Sequence, residues 1–399
     1  MASTAARRRV LHVSMPTAAG VPAVVVGYVA AQVARGWSVS VACPERDWLP
    51  SAARAAGARV VPWAASRGPS PLVAGETARL ARLIAECDPD VVHLHSAKAG
   101  LAGRLAICGR RPTVFQPHAW SFFAAQGAVG AASLQWERFA ARWTDVLLCV
   151  SDGERIAGTS SGVDAPYRVV RNGVDLRAWT HAREGDRESA RADLGLQPGR
   201  PLALCVGRLC KQKGQADLVA AWPLVRSSVP DAYLVLVGDG PDRALLEQRC
   251  AAAGGIVLTG ERHDVAKWMA AADVVVVPSR WDGMALVVVE AMARGRSVVA
   301  TSVPGIADAL PRFAGAVVAL GDRRALARAL IVRLHDHIRC DAEGATGRRY
   351  VELNLDQAVS AEAVVTIYDE LLAHGRPRTP QLTASVLDGP ERAGSEARS

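Results

Sequence analysis

The sequence predicts an α/β protein built as two doubly wound domains that face each other across a cleft. Three observations carry this expectation. Short apolar runs alternate with helical segments from Val10 to Ala300, the pattern of strands buried in a parallel sheet and joined by crossover helices. A polar stretch ending in Gln197-Pro198-Gly199-Arg200-Pro201 interrupts the series, which restarts at Leu202. The segment 272–301, ADVVVVPSRWDGMALVVVEAMARGRSVVAT, is a complete βαβ unit by itself. A chain of 399 residues, half of them hydrophobic, supplies enough material for two such cores.

The elements follow in order. Residues 8–15, RVLHVSMP, read as the first strand, followed by a loop at 17–21, a helix to Arg35 and the strand SVSVAC at 38–43. The basic, apolar start resembles a secretion signal, but His12, Pro16, Gly20 and Pro22 break it, so strand, loop and helix fit better. ETARLARLIAECDPDVVHLHS gives a helix, a proline stop and a strand ending in His93 and His95; 99–107 is another helix. TVFQPHAW is a strand running to His118, and LQWERFAARWTDVLLCVS is a helix and a strand. The first domain is 1–178 and the linker 179–200. The second domain, 201–355, repeats strand and helix through PLALCVGRL, QADLVAAWPLV, AYLVLVGDG, ALLEQRCAAAG, GIVLTG and VAKWMAAA. The pattern after Ala325 is helical to about His374, with 356–374 expected to pack back toward the first domain. The polar, Pro- and Gly-rich stretch 375–399 is expected to be disordered. No run of 18 apolar residues occurs, so no membrane-spanning helix is expected.

Within 272–301 the strand Val274 to Val277 leads through Ser279–Gly283 into an apolar helix that stops at Arg294-Gly295. A helix start beyond a parallel strand is a phosphate site, and the amides of Met284, Ala285 and Leu286 have no acceptor within the first turn. Glu290, about two turns in, is placed to accept hydrogen bonds from a ribose diol. A packed helix with one stray acid is the alternative, but an acid on an apolar face needs partners. Gly207-Arg208 ends a strand and Lys213-Gly214 opens a helix, two cations suited to a diphosphate. Neither the GxGxxG nor the GxxxxGK[ST] pattern is present there. Asp239-Gly-Pro-Asp242 reads as helix capping rather than a metal-binding acidic pair. His93 and His95 face one side of their strand. With His118 they make only a weak case for zinc, so no metal is expected.

Composition narrows the class. The eight cysteines have no paired CxxC spacing and read as reduced core thiols, such as Cys149 and Cys205, of a cytoplasmic chain. The net charge is +8, and residues 1–180 carry 20 Lys and Arg against 12 Asp and Glu, so the whole excess lies there. That favours an anionic surface or substrate, or else an Arg-rich solvated face.

GRL with K-x-K-G, GDGPDRALLE, TGERHDV and PSRWDG-x6-EAMA in this order resemble the retaining glycosyltransferases of family 4, with the GT-B fold of two Rossmann-like domains. The resemblance covers about 8–372 and is most specific over 205–310. VVHLHSAKAGLAGRLA and QPHAWSFF are similar to members that build cell-surface polysaccharides or lipid-linked glycans. The resemblance implies that Arg208 and Lys213 hold the donor diphosphate, Glu290 the ribose, and the amides at Met284, Ala285 and Leu286 sugar and phosphate. It puts Arg262 at the base pocket, Gly20 in the loop closing over the donor and His118 beside the transferred sugar. Asp282 stands where the family has the first Glu of E-x7-E, Asp308 also replaces a Glu, and Ala19-Gly20 replaces Gly-Gly.

The implied activity is hexosyl transfer with retention from a UDP-sugar, or secondly GDP-mannose, to an acceptor hydroxyl. Two fixed cations make a metal unnecessary, so no cofactor is expected. The implied partners are the nucleotide-sugar, a lipid-linked or glycan acceptor, and an anionic membrane touched by Arg7, Arg8, Arg9, Arg104, Arg110 and Arg111 at its cytoplasmic face; no nucleic acid is expected. The rivals are a UDP-sugar 2-epimerase of the same fold, disfavoured because no acid follows His118 before Glu137, and a non-catalytic nucleotide-sugar-binding protein.

Overall fold

The computed structural model describes residues 7–66, 68, 72–125, 127–180 and 186–374. The first half runs β1 (Arg9–Ser14), α1 (Gly20–Ala34), β2 (Ser38–Cys43), α2 (Leu49–Ala55), β3 (Arg59–Pro62), α3 (Val73–Cys87), β4 (Val91–His95) and α4 (Ser96–Ile107). It continues through β5 (Thr113–Gln116), α5 (Ser121–Ala124), α6 (Gly127–Ala140), β6 (Val146–Cys149), α7 (Asp152–Ser160) and β7 (Tyr167–Val169). These strands form one parallel sheet in the order β3-β2-β1-β4-β5-β6-β7.

The second half runs α8 (Asp186–Asp193), β8 (Leu202–Val206), α9 (Gln215–Ser228), β9 (Tyr233–Val237), α10 (Arg243–Ala253), β10 (Ile256–Gly260), α11 (Val265–Ala271) and β11 (Val274–Val277). Then come α12 (Leu286–Ala293), β12 (Ser297–Thr301), α13 (Pro304–Ala307), β13 (Gly315–Val318), α14 (Arg323–His335), α15 (His337–Asn354) and α16 (Gln357–His374). The second sheet is also parallel, in the order β10-β9-β8-β11-β12-β13. Strand order reverses between β1 and β4 and again between β8 and β11. Crevices for ligands open at such switch points, beyond the carboxyl ends of the strands.

The strands form where short apolar runs can be buried on both faces. Val274 to Val277 are all buried, and each sheet carries apolar cores on both sides. On one face of the first sheet, α1 and α16 pack together: Val25, Tyr28 and Val29 share a core with Ala361, Val364, Val365 and Tyr368.

The structure departs from the sequence expectations in four places. The stretch 179–200 is not a plain connector, because α8 forms within it and buries Arg191. That guanidinium reaches Asp273 at 2.9 Å, and Asp273 in turn accepts from the Leu202 amide at 2.7 Å. The helical stretch after Ala325 is three helices, divided at Asp336, whose side chain accepts from the Arg339 amide, and at Leu355-Asp356. The β5 strand stops at Gln116; His118 and Ala119 lie beyond it at φ 57° and 135°, in the left-handed region. Asp242 precedes α10 without a side-chain cap; Asp239 instead pairs with Arg243 at 2.9 Å. The tail 375–399 lies outside the described residues. Among those described, no helix is long and apolar enough to cross a membrane.

Candidate active site in the cleft

The second half brings charge to the cleft. After β8 the chain turns through Gly207 (φ 147°) and Arg208, and α9 starts at Gly214 (φ 68°). A Cβ on Gly214 would collide with the Pro278 carbonyl, so glycine lets this loop lie against the end of β11. That contact brings Lys213 Nζ to 2.7 Å from Asp282 Oδ2. Burial alone would lower the Lys213 pKa, but Asp282 outweighs it and holds the ammonium protonated above its ordinary range. Glu290 sits about one turn into α12, not two, and burial pushes its carboxyl up to about 7 against the pull of Lys213. Among the described residues, the Arg208 guanidinium has no ion pair; its own carbonyl accepts from Gln215 Nε2 at 3.1 Å. The α12 helix has no side-chain cap, and the amides of Met284, Ala285 and Leu286 find no acceptor among the described residues.

The first half meets this surface directly. Gly20 opens α1, and a Cβ there would lie 3.1 Å from Leu286 Cδ1. Leu286 itself packs against the cores of both halves. A Cβ on Gly283 would come within 2.8 Å of the His118 carbonyl carbon. Ser151 Oγ donates to the Gly283 carbonyl at 2.7 Å, and Asn172 Nδ2 to that of Met284 at 3.3 Å. Asp308 accepts from the Gly153 amide at 2.7 Å, so this replacement for the family's Glu joins the two halves. Glu154, buried in α7, accepts from the Val150 amide at 2.8 Å. Burial pushes its carboxyl up to about 7, with Asp282 adding to the rise.

Behind His118 lies a buried imidazole cluster. β1 pairs with β4 so that His12 stands opposite His93 and Ser14 opposite His95. His12 Nδ1 is 3.0 Å from His95 Nε2, His95 Nδ1 is 3.1 Å from His118 Nε2, and His93 Nδ1 is 2.6 Å from the Tyr368 hydroxyl. One ring nitrogen each from His12, His93 and His95 lies within 4.8 Å of the others, the one group among the described residues placed to hold a metal ion. The sequence pointed to His93, His95 and His118 but passed over His12; the pairing of β1 with β4 was the signal that would have found it.

The structure therefore gathers Lys213, Asp282, Glu290 and the 284–286 amides around the end of β11, with Gly20 and His118 facing them. Arg208 stands at the neighbouring strand end. Arg262 does not join them: it is exposed beyond β10 and paired with Asp264 at 2.9 Å. One expected membrane contact also needs correction. Arg104 is fully buried, paired with Glu137 at 2.7 Å and stacked over Phe115. Arg9 and Arg111 are held by Asp88, at 2.7 and 2.6 Å, Arg8 pairs with Asp369, Arg7 donates to the Gly36 carbonyl, and Arg110 donates to the Ala106 carbonyl.

Two parallel doubly wound domains closing on a cationic, amide-lined cleft define a GT-B glycosyltransferase. Residues 18–178 match the model described as Glycosyltransferase Family 4, and 200–336 that described as Glycosyl transferases group 1. The chain is 34% identical over 269 residues to alpha-maltose-1-phosphate synthase of Mycolicibacterium smegmatis, covering 60% of this chain and 68% of that protein. It is 29% identical over 248 residues to the lipopolysaccharide core biosynthesis mannosyltransferase LpsB of Rhizobium meliloti, covering 59% and 69%. Anabaena Alr3699/HepE, solved with UDP and glucose, superposes with a TM-score of 0.80 at 19% identity, over 92% of this chain and all of that one. The protein belongs to glycosyltransferase family 4.

Proposed function

We propose that this glycosyltransferase moves a hexose from a UDP-sugar, with GDP-mannose as second choice, to a hydroxyl of a lipid-linked or polysaccharide precursor, with retention and without a metal. The observation that carries this reading is Arg208, without an ion pair among the described residues, at the strand end next to Lys213 and the uncapped start of α12. A departing nucleoside diphosphate gains negative charge as the anomeric carbon takes on oxocarbenium character. Fixed cations and amides aimed at that charge stabilise the transition state without reorganising. Glu290 would take the ribose hydroxyls, Asp282 would hold Lys213 in place, and His118 would border the sugar. Family membership supports a nucleotide-sugar donor, and the UDP-bound structural relative favours UDP as first choice.

We assign contact with anionic lipid to α5 and α6, in place of the buried Arg104. Phe123, Val129 and Phe139 are 44%, 59% and 43% exposed, with the exposed Arg138 and Arg142 beside them. The chain would then work at the cytoplasmic face of the membrane.

A screen of UDP- and GDP-sugars for nucleotide release, with mass analysis of the sugar product, tests the reading. UDP release with a transferred or hydrolysed hexose is expected. A product of unchanged donor mass would identify an epimerase, turnover of GDP-mannose alone would reverse the donor order, and no turnover would leave a binding protein.

A further inference from the structure

His118 is not free to choose which ring nitrogen carries its proton. Gln32 on α1, His12 on β1, His95 at the end of β4 and His118 form one continuous hydrogen-bonded chain into the cleft. Gln32 Oε1 is 2.9 Å from His12 Nε2, and the two imidazole–imidazole links are 3.0 and 3.1 Å. Gln32, His12 and His95 are fully buried. An amide oxygen only accepts, so His12 Nε2 carries a proton. A neutral imidazole carries only one, so His12 Nδ1 accepts and His95 Nε2 donates. The same logic at the next link makes His95 Nδ1 the acceptor and His118 Nε2–H the donor. His118 is left with a lone pair on Nδ1, where no described side chain meets it.

Two further features hold this state. Burial keeps the imidazoles neutral, pushing His12 down to about 4, His118 to about 3 and His95 well below its ordinary value. The backbone at His118 and Ala119 is left-handed, a conformation that persists only where its surroundings impose it. Gly283 does so by close approach, since a Cβ there would lie 2.8 Å from the His118 carbonyl carbon.

We propose that this one-way chain makes His118 Nδ1 a fixed hydrogen-bond acceptor for a hydroxyl of the bound hexose, and that His95 and His12 are positioning residues for the transfer step. The proposal rests on reading the cleft as a nucleotide-sugar site. It adds a specificity rule: the sugar must present a donating hydroxyl at that place, and a deoxy or fluoro analogue there is rejected, because it covers the acceptor and leaves it unpaired.

The test uses the full chain labelled with 15N-histidine, with His118 assigned by the signal lost in His118→Gln. The expected result is one His118 tautomer, protonated at Nε2. His95→Phe keeps a flat aromatic ring, though a larger one, and Gln32→Leu a side chain of similar size, and both remove the source of direction. Each should average the His118 tautomers and lower kcat, by about tenfold in His95→Phe and severalfold in Gln32→Leu, while UDP affinity stays within about twofold. Gln32→Leu, changed on a helix away from the cleft, decides the matter if His95→Phe does not fold. A wild-type His118 protonated at Nδ1 would mean that Gln32 offers its NH2 group, reversing every link and overturning the proposal. Mixed tautomers with unchanged kcat would overturn the positioning role. If no nucleotide-sugar is turned over at all, the donor-site reading fails, and the tautomer result still decides whether the chain has a direction.

Discussion

The two halves face the same cleft with opposite chemistry. The second half brings full charges, Arg208, Lys213 and Asp282, on strand ends and a loop, with Glu290 titrating near 7 beside them. The first brings four imidazoles that burial keeps neutral, and a carboxyl in Glu154 that burial holds near neutrality. The difference matches what each half would hold. A diphosphate changes its charge during the reaction and needs fixed countercharge. Sugar hydroxyls stay neutral and need direction instead. A cation among the imidazoles would compete for the diphosphate and draw the donor out of line.

The largest effect should come from removing charge on the second half. Arg208→Ala should lower kcat by about a hundredfold or more while leaving the melting temperature unchanged, since its guanidinium has no ion pair among the described residues to lose. Lys213→Ala should cost as much activity and also some stability, because it strands Asp282, whose side chain is 10% exposed. Near-normal turnover in steady-state assays of either variant would erase the division between the halves.

The next effect tests the neutrality of the first half. Glu154 titrates near 7 when folded, above its ordinary value, so its contribution to stability is complete below about pH 4.5 and is lost as pH rises through about 7. Wild type should therefore lose up to about 2 kcal/mol more stability between pH 5 and 8 than Glu154→Gln, in denaturant titrations. Parallel curves for the two proteins would mean that Glu154 is already ionised at pH 5.

Glu290 sharpens the contrast from the other side. Its carboxyl also titrates near 7, but ribose hydroxyls favour the ionised form. UDP should bind more tightly as pH rises through 7 and should release a proton on binding. Calorimetry at pH 6.5 in buffers of different ionisation heat measures that release. Glu290→Gln should abolish it and weaken UDP by about tenfold, with a smaller effect on kcat. Proton uptake, or no linkage, would remove Glu290 from the ribose.

The smallest effect concerns the outside of the first half, basic where its cleft face is neutral. Each basic residue near an anionic bilayer contributes on the order of 1 kcal/mol, screened over about 10 Å at 0.1 M salt. Arg138→Glu with Arg142→Glu should cut sedimentation with anionic vesicles severalfold at low salt and little at high salt. Equal binding to neutral vesicles would point to the aromatic side chains alone.

These contrasts were unevenly legible in the sequence. The unit at 272–301 was readable because four consecutive valines have only one comfortable place, the middle of a parallel sheet. The eight-residue step from Asp282 to Glu290 follows from the loop and helix it spans. His12 looked like a mere interruption in an apolar run, since its partners come from β4, some 80 residues later, and from α1. Arg104 counted as surface charge because nothing local announces that Glu137 waits for it on another helix. The helix α8 was invisible to hydrophobic patterning, as its buried face is Ala190 and an arginine. Strand ends are hard to read from sequence where backbone geometry rather than side-chain type sets the boundary, as at His118.

The crossing of α16 over the first sheet has a consequence for how the molecule is made. The core that α1 begins is closed by Val364, Val365 and Tyr368, and the Tyr368 hydroxyl is the partner of His93. Ribosomes release a chain from its amino end, and domains ordinarily fold in that order. Here the half translated first must wait, one face uncovered, until the whole of its neighbour has emerged. A nascent chain stalled anywhere before residue 357 has no finished histidine chamber. The last helix thus ties completion of the first half to completion of the second, and no half-made chain presents a finished cleft.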